Sequence, residues 1–309
     1  MTATPSIPQS APASAPPAAF PPLPTAPVGI VGLGLIGGSL ALDLQRLGLE
    51  VRGLVHRPQT AQRALERRLA QQVSTDPAVL ADCGLVVLAL PLDQLLQPDP
   101  ALLVALPPEA VVTDVGSVKE PVLEGWRHRH RRFVASHPMA GTAEAGVEAG
   151  VAGLFVDRPW VATPDSDTDP AALIAVQALA EAVGARWLCC EPAQHDRAVA
   201  LISHLPVLVS AALLQTADRQ ARGAGTGAAN LSGLVRALAS TGFADTTRVG
   251  GGNPALGTLM ARCNRTALRE ALAGYRRELE GLEARLEQGD WSGLQADLEE
   301  CRLLRPDFL

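Results

Sequence analysis

Between Val28 and Leu40 the chain runs Val-Gly-Ile-Val-Gly-Leu-Gly-Leu-Ile-Gly-Gly-Ser-Leu, and no other stretch constrains its fold as strongly. Val28 to Val31 has the length and apolar character of a buried strand. Glycines then break it, and an apolar run starting near Leu35 has helical character. Gly32, Gly34 and Gly37 stand at G-x-G-x-x-G spacing. At such a turn the first glycine permits the tight bend, the second lets backbone approach a pyrophosphate, and the third lets helix and strand lie close. The helix start at Leu35, Ile36 and Gly37 offers free N–H groups and the positive end of a dipole. Glycine-rich turns are common, but one set between a strand and a helix predicts a dinucleotide site.

A chain of 309 residues suits about two domains of ~150 residues each. Aromatic residues make up only 3%, so the cores must be built from Leu, Val and Ala. The formal net charge of −6 argues against nucleic acid as the main partner, and an anionic ligand then needs locally placed Arg or His. Five cysteines, with Cys189 and Cys190 adjacent and no C-x-x-C spacing, predict reduced, mostly buried thiols of a cytoplasmic protein, with no disulfide frame and no metal site. No apolar run is read as reaching membrane-spanning length. The first 27 residues hold nine prolines and no charged side chain. They read as a disordered, polyproline-like tail without the Lys or Arg of a targeting segment.

Residues 28–190 read as alternating strands and helices. The first helix stops at Gly48, and a strand follows from Val51 to Val55. NAD-binding sites usually place an acid at the end of that strand to hold the ribose 2′-OH; here stand His56, Arg57 and, nearby, Thr60. A carboxylate would repel a 2′-phosphate, whereas these residues would bind one, which favours NADP. A solvated basic turn is the alternative. Residues 59–72 read as a basic helix, and Leu85–Leu90 as a central parallel strand ending at Pro91. Leu90 and Pro91 are expected along the cofactor, because ligands bind beyond the carboxyl ends of such strands. Strands from Ala110 to Asp114 and from Phe133 to Ser136 open into polar clusters carrying Ser117 and Lys119, and His137 and Thr142. Phe155–Thr163 and Ala185–Cys190 read as later strands around a helix from Pro170 to Val183.

From Glu191 onward the pattern is helical, so residues 191–309 read as a second, all-helical domain. Pro206 is expected to kink its first helix and free a carbonyl. A loop from Gly242 to Pro254 carries Asp245, Arg248 and three consecutive glycines. Leu268, Leu272, Tyr275, Leu279, Leu282 and Leu286 then form a narrow apolar seam, explained equally by packing within one subunit or by a homodimer. Taken singly, each polar residue has a bland explanation: Ser117 as a helix cap, His204 as a core histidine, Arg248 as a surface turn residue. Together, two strand-end clusters meeting an Arg loop from a second domain describe an interdomain cleft for a small substrate.

Five motifs in this order resemble the prephenate/arogenate dehydrogenase family, most closely its short, NADP-using arogenate dehydrogenases. They are Val31–Gly37; Thr113-Asp114-Val115 with Ser117-Val118-Lys119; His137-Pro138-Met139-Ala140-Gly141-Thr142; Ile202-Ser203-His204-Leu205-Pro206; and Gly242-Phe243 through Asp245-Thr246 to Arg248–Pro254. The resemblance implies an α/β chain with an N-terminal Rossmann dinucleotide-binding domain followed by an all-helical dimerisation domain. It implies oxidative decarboxylation of arogenate to tyrosine with NADP in tyrosine biosynthesis, with prephenate to 4-hydroxyphenylpyruvate as the nearest alternative. By the same resemblance His137 is the general base, Ser117 hydrogen-bonds the reacting hydroxyl or orients the imidazole, and Arg248 holds a substrate carboxylate. His204, His195 and Thr142 line the substrate side. The family's 2′-phosphate arginine matches His56 here, with Arg57 one residue later. A non-catalytic NADP-sensing protein is the alternative from another class, and the intact His137, Ser117 and Arg248 set argues against it.

Overall fold

In the computed structural model, which describes residues 25–142, 144–223 and 228–308, six parallel strands form the main sheet: β1 (Val28–Val31), β2 (Val51–Leu54), β3 (Gln72–Ser74), β4 (Leu85–Leu88), β5 (Val111–Asp114) and β6 (Phe133–Val134). Their order, β3-β2-β1-β4-β5-β6, is the doubly wound order, and it reverses between β1 and β4, where a crevice opens beyond the strand ends. Val31 lies level with Leu54 on one side and Leu88 on the other, so the turn after β1 and the ends of β2 and β4 emerge together. β1, β4 and β5 are buried along their whole length, because helices cover both faces of the sheet.

On one face lie α1 (Leu35–Arg46) and, later in the chain, the 170–182 helix; on the other lie the short helices that follow β4 and β5. In order these connections are α2 (Pro58–Glu66), α3 (Leu92–Leu96), α4 (Pro100–Ala105), α5 (Glu120–Trp126) and α6 (Pro170–Ala182). Proline opens many of these helices. At Asp99-Pro100 and Asp169-Pro170 the aspartate caps the second backbone N–H while the proline sits where no N–H is needed. Trp126 is fully buried and donates its indole N–H to the Leu95 carbonyl at 2.8 Å, fixing α5 on α3.

A second sheet follows: β7 (Ser136–Pro138) runs antiparallel to β8 (Pro159–Ala162), which runs parallel to β9 (Arg186–Cys189). The expected single strand Phe133–Ser136 is therefore two, broken at Ala135, and His137 lies within β7, paired with Val161, not beyond a strand end. The basic helix expected to reach residue 72 stops at Glu66. Arg68 adopts φ 55° and turns the chain into β3, an edge strand of three residues, too short for alternation to reveal.

Beyond residue 191 the described chain is helical: α7 (Pro192–Val199), a π-helical turn (Ala200–His204), α8 (Leu205–Gly223), α9 (Ala228–Leu238), α10 (Thr241–Thr247), α11 (Pro254–Cys263), α12 (Arg265–Gln288) and α13 (Trp291–Leu304). Pro206 lacks an N–H and its ring crowds the carbonyl four residues back; the helix answers with the wider π turn, without ending. The segment Gly242–Pro254 is no open loop: α10 and a 3₁₀ turn (Val249–Gly251) occupy most of it. Gly250 is required there, since a Cβ would strike the backbone of Ser210 and Ala211.

The continuous helix Pro192–Gly223 is long and apolar enough to cross a membrane by length and composition, which corrects the expectation that no run reaches that length. It carries buried His195, Asp196 and His204 in its first half, a placement suited to a domain's spine. The leucine seam of α12 divides. Leu268 is buried and Leu272 and Tyr275 half-buried, whereas Leu279 and Leu286 are 46% and 56% exposed. Packing within the chain thus explains only its first half. All five cysteines are free, and of them only Cys83 is buried. The proline-rich tail lies outside the described residues.

Candidate active site

The glycine turn is built for close approach. Gly32 adopts φ +93°, and a Cβ there would strike the Ala89 carbonyl at the end of β4. At Gly37 a Cβ would strike the Gly32 carbonyl, so α1 could not sit on β1. At Gly34 nothing lies within 4 Å of that position. It is the N-cap of α1 and no side chain caps the helix, which leaves the first backbone N–H groups open to an anion. The turn therefore fits a pyrophosphate in each part. Leu90 is half-buried and Pro91 exposed beside it. At the end of β2, His56 and Arg57 are exposed and Thr60 half-buried; neither basic side chain has a hydrogen bond or ion pair among the described residues.

At the end of β5 a buried polar network joins the two sheets. Asp114 accepts from the Gly116 N–H (2.7 Å) and the Ser136 N–H (3.1 Å), and pairs with the ammonium of Lys119, which also donates to the Ser136 carbonyl (2.7 Å). Lys119 is the chain's only lysine, and its side chain is wholly buried. Burial pushes the Asp114 carboxyl up and the Lys119 amine down, each against the pull of the other. The Ser136 hydroxyl donates to the Asp114 carbonyl (2.9 Å) and accepts from the Trp160 indole (3.0 Å). The network fixes the start of β7, and hence His137.

His137 Nδ1 stands 3.0 Å from His195 Nε2, and His195 Nδ1 stands 2.8 Å from Asp196 Oδ1. The carboxylate can only accept, so His195 donates from Nδ1 and accepts at Nε2; His137 then donates from Nδ1 and keeps a lone pair on Nε2. Burial lowers the His137 pKa well below the ordinary histidine value, and the positive fields of His195, Lys119 and His204 lower it further. His137 is accordingly neutral at pH 7, the form that accepts a proton. Asp196 also accepts from the backbone N–H groups of Lys119 (2.7 Å) and Glu120 (3.0 Å), so a residue of the helical domain caps α5 of the nucleotide-binding domain.

His204, fully buried at the end of the π turn, receives the Asn264 amide at Nδ1 (3.1 Å), and the same amide donates to the Asp196 carbonyl (2.7 Å). Its Nε2–H has no partner. Burial lowers its pKa from 6.5 to about 4. A histidine neutral in the folded state stabilises fully above pH 6.5, and that contribution is lost as pH falls from 6.5 to 4, a total of roughly 3 kcal/mol. Urea unfolding is expected to show a less stable protein at pH 5 than at pH 7, with a smaller drop in His204→Gln; an equal drop in both would refute the assignment.

Of the expected site residues, His137, His195 and His204 share this cluster. Both ring nitrogens of His195 are committed to protein partners, which leaves neither for a substrate. Ser117 is half-buried and makes no side-chain hydrogen bond among the described residues. It does not cap α5; Asp196 takes that place. Arg248 is exposed at the end of α10, without an ion pair among the described residues and with no hydrogen bond to the cluster. Thr142 is exposed and accepts from the Glu144 N–H at 3.2 Å. Asp196 and Asn264 were not legible as site residues. The adjacency of a carboxylate to His195 was the available signal for Asp196; for Asn264 there was none.

Comparison with known proteins agrees with this architecture. The family described as prephenate dehydrogenase, nucleotide-binding domain, matches residues 40–189, and prephenate dehydrogenase, dimerization domain, matches residues 191–300. The crystal structure of Synechocystis arogenate dehydrogenase is 40% identical with a TM-score of 0.75, covering 91% of this chain and 99% of that one. The structure of prephenate dehydrogenase from A. aeolicus, in complex with hydroxyphenyl propionate and NAD+, is 26% identical with a TM-score of 0.80, covering 93% and 99%. Prephenate dehydrogenase of Bacillus subtilis is 30% identical over 189 residues, 60% of this chain, and the match spans about half (49%) of that protein's length. With both domains matched in order and a 40% identical relative covered almost end to end, the chain belongs to the prephenate/arogenate dehydrogenase family.

Proposed function

We propose that this protein oxidatively decarboxylates arogenate to tyrosine with NADP, in tyrosine biosynthesis. The observation that carries the reading is His137, held neutral with its Nδ1 proton on His195 and its Nε2 lone pair free. A bound nicotinamide supplies a hydride acceptor. The chain supplies the rest. His137 Nε2 takes the proton of the cyclohexadienol hydroxyl as hydride leaves the same carbon; the ring carboxylate departs as CO2 and the ring becomes aromatic. Ser117 hydrogen-bonds that hydroxyl, Arg248 holds a substrate carboxylate by a forked contact, and the unpartnered His204 Nε2–H is a further donor facing the substrate.

The preference for NADP rests on the acid-free end of β2, where His56 and Arg57 are exposed and unpaired. The preference for arogenate is supported by the Synechocystis relative, whereas the relatives from A. aeolicus and Bacillus subtilis, both prephenate dehydrogenases, favour the second reading, prephenate. The steady-state kcat/KM for each substrate with each cofactor separates these. Arogenate with NADP is expected to give the highest value, and a preference for prephenate with NAD would overturn the assignment. We further infer a homodimer through the helical domain, supported by the dimerization-domain match and by the exposure of Leu279, Leu286, Trp291 and Leu298 on α12 and α13.

A further inference from the structure

We propose that Asp196 is a positioning residue for the reaction: through His195 it fixes the tautomer of His137, and because the same carboxylate caps α5, the base is set only while the two domains are docked. The inference rests on His137 being the general base. Its grounds are geometric. One carboxylate oxygen, Oδ1, meets both His195 Nδ1 (2.8 Å) and the Lys119 N–H (2.7 Å), and the other, Oδ2, meets the Glu120 N–H (3.0 Å). The residue is 3% exposed, and its backbone carbonyl is anchored by Asn264. Every acceptor that a side-chain carboxylate could use to hold two N–H groups of one domain and an imidazole of the other is in use.

The proton inventory follows from the hydrogen bonds. Before reaction His195 carries its proton on Nδ1, towards Asp196, and His137 carries its own on Nδ1, towards His195 Nε2. When the substrate hydroxyl proton passes to His137 Nε2, His137 becomes an imidazolium whose Nδ1–H points at a neutral imidazole backed by a carboxylate. The groups that face His137 are His195 from α7, Lys119 from the segment after β5 and His204 from the π turn; those that face Asp196 are His195, the α5 N–H groups and the Asn264 amide. Asp196 is the one anion joined to His137 through this hydrogen-bond chain, and it is placed to offset a charge that the three basic groups oppose. Without it, His195 is free to turn its protonated nitrogen towards His137 and to hold the wrong tautomer.

The test is Asp196→Asn beside His195→Leu, the second leaving the α5 cap in place while cutting the link. An orienting carboxylate behind a catalytic imidazole is worth up to about 10⁴-fold, and one acting through an intervening ring is expected to cost about 10²-fold in kcat, with KM for substrate changed by less than about 3-fold. Loss of the anion also moves the acid limb of kcat to lower pH, because the imidazolium is no longer stabilised. Independently of activity, the imidazole nitrogen spectrum of the wild-type protein is expected to show His137 protonated at Nδ1 alone, and the variants to show mixed tautomers. A role confined to capping α5 would lower thermal stability in Asp196→Asn but leave the limb, the spectrum and the kcat of His195→Leu unchanged, and that result would overturn the proposal. If Asp196→Asn does not fold, His195→Leu alone decides it. Should His137→Asn remain fully active, the general-base reading falls and this proposal with it; inactive His137→Asn with normal kcat in His195→Leu refutes the proposal alone.

Discussion

Replacing His137 by Asn is expected to lower kcat by ~10²–10⁴-fold, the usual worth of a positioned general base, while NADP binding stays within about 2-fold of wild type, as general-base loss without disturbance of the glycine turn requires. The separation follows from the fold. His137 stands in β7 of the second sheet, whereas the glycine turn and the β2 end that would hold the dinucleotide belong to the main sheet. Asn keeps a polar side chain of modest size but has no lone pair that can take and hold a proton near neutrality. The pH dependence has a fixed sign. Because burial and neighbouring positive groups lower the His137 pKa, the active, neutral form predominates at pH 7, and kcat is flat through neutrality and falls only on the acid side of the ordinary histidine range. Cofactor titration together with a kcat–pH profile checks both parts, and an unchanged rate in the variant would refute the assignment.

Replacing Lys119 by Met is expected to cost about 3–5 kcal/mol of stability, the penalty for stranding one charge of a buried pair. Met fills most of the volume but leaves Asp114, wholly buried, with two backbone N–H donors and no counter-charge. The Lys119→Met, Asp114→Asn double variant is expected to recover a good part of that loss, since the amide is uncharged and its oxygen can still accept one of those N–H groups. Denaturant unfolding of the wild type, both singles and the double forms a cycle in which the two sites must couple strongly; additive losses would show that the pair does not act as a unit. The ammonium donates to Asp114 and to the Ser136 carbonyl and lies buried beneath the cluster, so it is structural, not a proton-transfer group. That accords with the absence of a helix-borne acid/base lysine from the sequence.

How far the sequence could be read follows from the kind of signal each element carries. The central strands β1, β4 and β5 are continuous apolar runs because both faces are covered, and such runs are bounded by glycine, proline or polar clusters in plain view. The glycine turn was legible because each glycine answers a separate steric demand, and the coordinates meet all three. β3 and the break at Ala135 were not legible: edge strands of two or three residues carry no periodicity, and whether a chain leaves one sheet for another is decided by long-range pairing. The helical character of Gly242–Pro254 was hidden behind its glycines, of which Gly250 serves close packing on α8. At the site, the histidines could be named from motifs, but their partners could not. That His195 faces His137, and that Asp196 spans the domain boundary, are products of tertiary docking between residues 58 and 77 positions apart.

The most direct measurement of the central claim is product stoichiometry on mixing the full chain with arogenate and NADP. The account predicts that NADPH, CO2 and tyrosine appear in equal amounts, and that none appears with His137→Asn on the same time scale. Tyrosine without NADPH, or NADPH without loss of CO2, would contradict an oxidative decarboxylation at this cleft.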